Sequence, residues 1–205
     1  MSEARIDRLL AAALHQAIGD VTPPRLEFYE GYLKPRGWRD DSVNLAPLAA
    51  VLSFLRHEPP GTYDDVMTGA AAYAAAWVYD GLPWHVRARR RVTPRRLRLR
   101  QLARIGRQHV ERGYRGTKVA LTVRRGVLTA DILGSIFCNT RDHAGAPHCR
   151  YYQAFFEQLL AHDGLLAGES RIDACRAGGG DVCRLHIELA AATAPALAST
   201  LEGVE

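Results

Sequence analysis

Apolar residues recur at helical spacing from the start of the chain. Ile6, Leu9, Leu10, Ala13, Leu14 and Ala17 share one face of a 3.6-residue period, which predicts an amphipathic first helix ending at Gly19. Thr22-Pro23-Pro24 breaks the pattern, and residues 25–45 show no single period, with Phe28, Tyr29, Tyr32 and Trp38 supplying aromatic surface around Gly31 and Gly37. A second helix is predicted from Pro47, suited to a first turn, to about His57, where Pro59-Pro60-Gly61 ends it. Thr62 suits the N-cap of a third helix, Tyr63 to about Tyr79, with Asp64 and Asp65 in its first turn. Its alanines and Gly69 admit close approach, whether by another helix of the chain, a flat ligand or a second copy in a homodimer. A fourth helix reads from Thr93 as cap and Pro94 in the first turn to about Arg112, closing at Gly113.

The period then changes from helical to alternating. Lys118–Val123 and Val127–Leu133 flank Arg124-Arg125-Gly126 as a β-hairpin, and Gly134–Cys138 continues or ends its second strand. Residues 139–147 form a polar loop. From Pro147 a helix carries Tyr151, Tyr152, Phe155, Phe156, Leu159 and Leu160 and stops at Gly164. Two further strands, about 170–176 and 182–189, meet at a triple-glycine turn. The expected fold is α+β: N-terminal helices packed on an antiparallel sheet made of two hairpins with one intervening helix. The expected units are an N-terminal helix over 1–24, a domain over 25–189 and a flexible tail over 190–205.

Apolar residues make up 47% of the 205, enough for a sizeable core, and no run reaches the roughly 18 uninterrupted apolar residues of a membrane span. The N-terminus is charged where a secretory signal needs an apolar run. These features predict a soluble cytoplasmic protein. The net charge of +5 is local, since ten arginines lie between Arg87 and Arg107 while the chain has only two lysines. That cluster reads as a solvated helix face or as a contact for an anionic partner. Nucleic acid is disfavoured, because no aromatic is interleaved after Trp84.

All four cysteines, Cys138, Cys149, Cys175 and Cys183, fall within 46 residues. If the turn Cys175-Arg-Ala-Gly-Gly-Gly-Asp-Val-Cys183 centres on Gly179, its two thiols face each other across a hairpin. Cross-strand partners have Cβ atoms about 5 Å apart, so one metal ion or one disulfide joins them. In a reducing compartment clustered thiols favour metal or redox chemistry over a structural disulfide.

Residues 115–189 resemble the 4-vinyl reductase, or hydrocarbon-binding, domain. The resemblance lies in a hairpin ending Ser135-Ile136-Phe137, in Pro147-His148-Cys149 opening an aromatic helix, and in Cys175-Arg-Ala-Gly leading through Gly180-Asp181-Val182-Cys183 into Leu185-His186-Ile187. That family includes a bacteriochlorophyll-biosynthesis protein and the sensor modules of phenol-responsive activators, and its fold is similar to subunits of the eukaryotic vesicle-tethering complex. The resemblance implies a zinc site and a hydrophobic pocket. Cys149, Cys175 and Cys183 match the sensors' three cysteine ligands, but their glutamate ligand falls at Ile172, which cannot bind a metal. Cys138 or Asp173 is the replacement, and Cys138 is preferred, because a fourth thiolate completes the closed shell of structural zinc. An iron–sulfur cluster or haem is the alternative cofactor. His148 and His143 are spare candidates.

The resemblance also implies a ligand cavity between the N-terminal helices and the sheet. Its expected walls are Tyr73, Trp77 and Trp84 on the helical side, with His109 and Phe137 nearer the sheet. The sequence carries no nucleotide loop and no nucleophile motif, and Gly178–Gly180 precedes a strand rather than a helix. The favoured function is a small-molecule binding protein, for a hydrophobic, aromatic or tetrapyrrole ligand, with zinc fixing the fold. The alternatives are a biosynthetic enzyme or accessory acting on such a ligand, or a regulatory adaptor that meets an anionic partner through the arginines.

Overall fold

The computed structural model describes residues 5–34, 42–138 and 146–190. Trp38, His143 and residues 191–205 of the expected tail lie outside them. The helical part comprises β1 (Arg5–Asp7), α1 (Arg8–Val21), α2 (Leu26–Leu33), β2 (Ser42–Asn44), α3 (Leu45–Leu55), α4 (Thr62–Asp80), α5 (Trp84–Arg91) and α6 (Arg95–Gly113). The sheet part follows as β3 (Lys118–Arg124), β4 (Val127–Leu133), α7 (Arg150–His162), β5 (Ala167–Ala174) and β6 (Cys183–Leu189). The architecture is α+β, as expected, with two hairpins and one intervening helix.

Period-two alternation decides which face of the sheet is buried. The strand order is β3-β4-β6-β5, all antiparallel, and the paired residues Leu128↔Ile187, Ala130↔Leu185 and Ile132↔Cys183 all point inward. Outward neighbours are polar: Arg184 donates twice to its cross-strand partner Asp131, at 2.6 and 2.9 Å. One face packs and the other meets water, the usual division in an antiparallel sheet.

Helix α7 lies on the inner face, burying Tyr151, Tyr152, Phe155, Phe156, Leu159 and Leu160. Helix α4 packs on α7, and α1 packs on α4. Small residues permit this layering, since a Cβ added at Gly69 would stand 3.2 Å from the Ala17 Cβ. Ala70, Ala71, Ala74 and Ala75 are fully buried within the chain. Their face is therefore a seam between internal layers and not a surface for a second copy. Among the described residues, no helix is long and apolar enough to cross a membrane.

Several local expectations need correction. Helix α1 begins at a side-chain cap, Asp7, which accepts from the Leu9 amide at 2.9 Å, and runs two residues past Gly19. Residues 26–33 form α2, whose mixed aromatic pattern hides its period. The three-residue pair β1–β2 is too short to show alternation. Gly61, at φ 91°, caps α4, so Thr62 is already helical, and Pro94 rather than Thr93 precedes α6. Helix α7 starts after Cys149, not at Pro147.

The arginine run is not one solvated helix. It spans α5 and α6, and Arg90 is only 2% exposed. Its Nε lies 3.1 Å from Asp163 Oδ1 at the end of α7, though none of its nitrogens attains hydrogen-bond geometry. Tyr79 donates to the same carboxylate at 3.0 Å, and Arg98 donates to the Asp163 carbonyl at 3.1 Å. Three helices thus converge on one buried acid. Removing a single partner of a buried pair leaves an uncompensated charge, at a cost of about 3–5 kcal/mol. Asp163→Asn is expected to lower the melting temperature by about 10 °C, measured by thermal unfolding, whereas a change within about 2 °C would show that the pair carries no net stability.

Candidate metal centre

The four cysteines come from four separate chain segments. Cys138 ends the short 3₁₀ turn Ile136–Cys138 beyond β4, Cys149 caps α7, Cys175 follows β5, and Cys183 opens β6. Local backbone geometry delivers each one. Gly134, at φ 68°, makes the turn into Ser135, and a Cβ there would stand 2.1 Å from the Gly116 carbonyl oxygen, so only glycine fits. Beyond Cys175 the chain wraps round that residue's own carbonyl, which accepts from the amides of Gly178 and Gly180 at 3.1 and 3.0 Å. Gly179 supplies the left-handed step, φ 89°. The pairing Ala174↔Arg184, carried one residue further, sets Cys175 opposite Cys183.

All four sulfur atoms lie within 4.8 Å of one another, and all four residues are buried. Cys138 Sγ is 3.4 Å from both Cys175 Sγ and Cys183 Sγ. A disulfide requires about 2.0 Å, so no pair is bonded. Tetrahedral coordination with metal–sulfur bonds of about 2.3 Å separates sulfur atoms by about 3.8 Å. The observed spread brackets that value, so the donor set fits one thiophilic cation.

The thiols are electrostatically inequivalent. Hydrogen bonds, led by Cys149, hold Cys138 below the ordinary thiol range, and those led by Cys138 hold Cys175 well below it. The same network, again led by Cys138, pushes Cys149 and Cys183 far up. The first thiolates are solvated by the remaining S–H groups, while the last must ionise against like charge. A cation removes that opposition. The N-terminus of α7, at Cys149, adds a favourable dipole.

A second layer of contacts binds the helical part to this centre. Arg56, at the end of α3, donates to the Phe137 carbonyl at 2.7 Å, and its guanidinium lies over the Tyr63 ring at 5.7 Å. Tyr63, in the first turn of α4, donates to the His148 carbonyl at 2.9 Å. Both cysteine-bearing loops are thus held by their backbone next to a clustered cysteine. Neither Arg56 nor Tyr63 belongs to a recognisable motif; the available signal was only their position at the ends of predicted helices.

Asp173 is not part of the cluster. It pairs with Arg171 at 2.7 Å on the outer side of β5, where the register shifts between Ile172 and Ala174. Cys138 takes the position beside the other three thiols. The His148 ring stands outside the four-sulfur group and packs on Tyr63.

The expected cavity walls do not assemble. Trp84 is 75% exposed and Trp77 39%, and Tyr73 packs on Trp77 and bonds Asp20 on the outer side of α4. His109 and Phe137 do share one environment, bridged by Tyr151, but it is packed: His109 stacks on Phe155 at 4.5 Å and meets the Tyr151 hydroxyl at 3.0 Å, while Phe137 lies 4.8 Å from the Tyr151 ring. The void there is about 10 Å³, room for a water at most. A half-enclosed cavity of about 230 Å³ lies instead beside the thiols, between Leu45, Ala49, Leu52 and Arg56 on one side and Ser135, Ile136 and Arg176 on the other.

No protein-family model matches the sequence, and no curated protein resembles it closely enough to count as a relative. Solved structures do match in fold. An H-NOX protein from S. oneidensis, in its Fe(II)NO ligation state, aligns at TM-score 0.57 and 12% identity over 89% of this chain and 98% of that one. The A71G mutant of an H-NOX protein from K. algicida, Fe(II) and unliganded, aligns at TM-score 0.61 and 11% identity over 91% and 98%. The phenol-responsive sensory domain of the transcription activator PoxR, with phenol, overlays more loosely, at TM-score 0.49 and 15% identity over 72% and 75%. At such identities the H-NOX likeness establishes the fold alone: helices packed on an antiparallel sheet.

Burial, with the Arg112 charge as a lesser cause, pushes the pKa of His109 down to about 4. The unfolded chain, with an ordinary value near 6.5, binds the proton first. Stability from this residue is therefore complete above about pH 6.5 and falls as pH drops toward 4, by about 3 kcal/mol in all. Denaturant midpoints measured from pH 7 to pH 4 should fall accordingly, and His109→Gln should flatten that part of the curve. An identical slope in both proteins would assign the acid sensitivity elsewhere, to the thiols first.

Proposed function

We propose that this chain is a small-molecule-binding protein whose four buried cysteines hold a structural zinc ion. The observation that carries the reading is the convergence of four thiols from four segments to within 4.8 Å. Cys138, Cys149, Cys175 and Cys183 would hold the ion. Four protein ligands close the coordination shell and leave no position for a substrate, so the metal contributes folding energy rather than chemistry. A cluster of several irons sets metal and sulfide between its thiolates and needs them farther apart than this group allows. The resemblance to the 4-vinyl reductase family supports the same assignment at Cys149, Cys175 and Cys183.

The cavity beside the centre supports the ligand half of the reading. A void of about 150 Å³ accepts benzene, so about 230 Å³ suits a single ring with a short substituent and not a whole tetrapyrrole. Its lining combines aliphatic side chains with two arginines and a serine, the mixture that orients a small polar aromatic. Haem is a second reading, because the H-NOX structures carry Fe(II) in their described states. His109 is the buried nitrogen donor for it. The surrounding void of about 10 Å³ does not fit the group without separating α6 from α7, and zinc is preferred.

Elemental analysis and an absorption spectrum on protein purified without added metal test the centre. One zinc per chain and no visible absorption are expected, while iron with an intense visible band would replace zinc by haem. Cys183→Ser and Cys138→Ser should each lose the metal and lower the melting temperature by about 10 °C or more, and Asp173→Asn should do neither. Unchanged metal content in Cys138→Ser would remove it from the shell. For the cavity, millimolar phenol should raise the melting temperature of the wild-type chain by mass action. Ala49→Phe, which fills the cavity from its exposed rim, should abolish that rise, and an equal rise in the variant would locate binding elsewhere.

A further inference from the structure

At the end of the sheet remote from the cysteines, a second cavity of about 420 Å³ is enclosed by the first turns of α6, the β3–β4 turn and the end of β6. Five arginines line it: Arg95, Arg96 and Arg100 from α6, with Arg124 and Arg125 from the turn, and no acidic residue is among them. Arg95 is anchored by donating to the Ala190 carbonyl. The other four have no ion pair among the described residues. Their neighbours in sequence behave differently: Arg87 pairs with Asp80, Arg90 and Arg98 with Asp163, and Arg107 with Glu111. The unpaired guanidiniums that surround this cavity include Arg96 and Arg100, four residues apart on one helix face, where like charges destabilise each other.

Two further features point the same way. Helix α6 starts with neither a side-chain cap nor an acid in its first turn, so its positive end is left uncompensated at the cavity. Arg125 sits at φ 49°, a position hairpin turns usually give to Asn or Gly, and Gly126 follows at φ 86°. The floor is apolar, formed by Leu99, Val123 and Leu189.

We propose that this cavity binds a small phosphate-bearing anion with at least two negative charges, of the diphosphate or phosphate-ester class. Five guanidiniums exceed what one carboxylate balances, and their planar forks match phosphate oxygens in pairs. Free amides at the start of a long helix favour the same group. The volume lies within the range of small-molecule sites, and the apolar floor covers the organic part of an ester. A nucleic-acid strand is a poorer occupant, because the lining offers no aromatic ring on which a base can stack. The site is independent of the thiol centre: it lies at the opposite end of β4 and β6, and its occupant needs no metal.

Isothermal titration of the full chain with inorganic pyrophosphate, with citrate as a phosphate-free polyanion, tests the assignment. Pyrophosphate should bind, with affinity falling steeply as salt is raised. Arg96→Gln and Arg124→Gln, on the two opposing walls, should each weaken it about tenfold or more, since a charge-assisted contact carries that much. Both substitutions are at exposed positions and should leave metal content and melting temperature unchanged. Absence of pyrophosphate binding, or affinity indifferent to both variants, overturns the site. Citrate binding as tightly as pyrophosphate overturns the phosphate assignment.

Discussion

Four sulfur atoms gathered in a buried space are a constraint that the rest of the fold must satisfy. A thiol cluster of this density cannot ionise fully without a cation, and it cannot stay neutral without each S–H finding a partner. The spread of acidities within the group expresses that tension. The cluster also ties together separate parts of the chain: the exit of β4, the entry of α7 and the two sides of the β5–β6 turn. Fixing the thiols fixes the register of β6 against both its neighbours, because Cys183 pairs with Ile132 and stands opposite Cys175.

From that point order passes outward through backbone groups. Arg56 and Tyr63 hold the carbonyls next to Cys138 and Cys149, so the ends of α3 and α4 are positioned by the same loops that present the thiols. Outer partners of this kind decide how rigid a metal site is. They also make the cavity under α3 and the thiol centre neighbours in one structural unit, with Arg56, Ser135 and Arg176 touching both the cavity and the cysteine-bearing segments. The opposite flank is stabilised by other means: small-residue layering between α1 and α4, and the buried Asp163 that gathers α4, α5 and α6.

What was legible in the sequence followed from periodicity and chemistry. Alternation located β3, β4 and β6 to within a residue, because each strand has one dry face and one wet one. The cysteine spacing around Gly179 correctly implied opposed thiols. Other features left no such trace. Half of helix α5 is arginine and mean hydropathy misreads it; its buried Arg90 meets an acid more than seventy residues away, Asp163. Asp173 looked suitable on strand spacing alone, but a register shift turns it outward. Trp77 and Trp84 were the expected walls of the cavity that the resemblance implies, yet both lie on the outer surface, while the less conspicuous Leu45, Ala49 and Leu52 line the void.

Size is what separates the two halves of the molecule as places for chemistry. Around His109, where aromatics are richest, side chains interdigitate so completely that only a water-sized gap is left, and the imidazole is held neutral by burial. Such a region stores stability but offers no room. Two roomier spaces lie at opposite ends of the sheet and differ in character. One adjoins the thiols and is mainly aliphatic with a polar edge; the other is walled by uncompensated positive charge over an apolar floor. On the proposed reading, a closed thiolate shell leaves no free coordination site, so the ligand is assigned to such spaces and not to the metal. The centre's part is then indirect: it fixes the backbone from which Ser135, Ile136 and Arg176 reach the first cavity, and its loss should loosen that cavity while leaving the arginine-lined one intact.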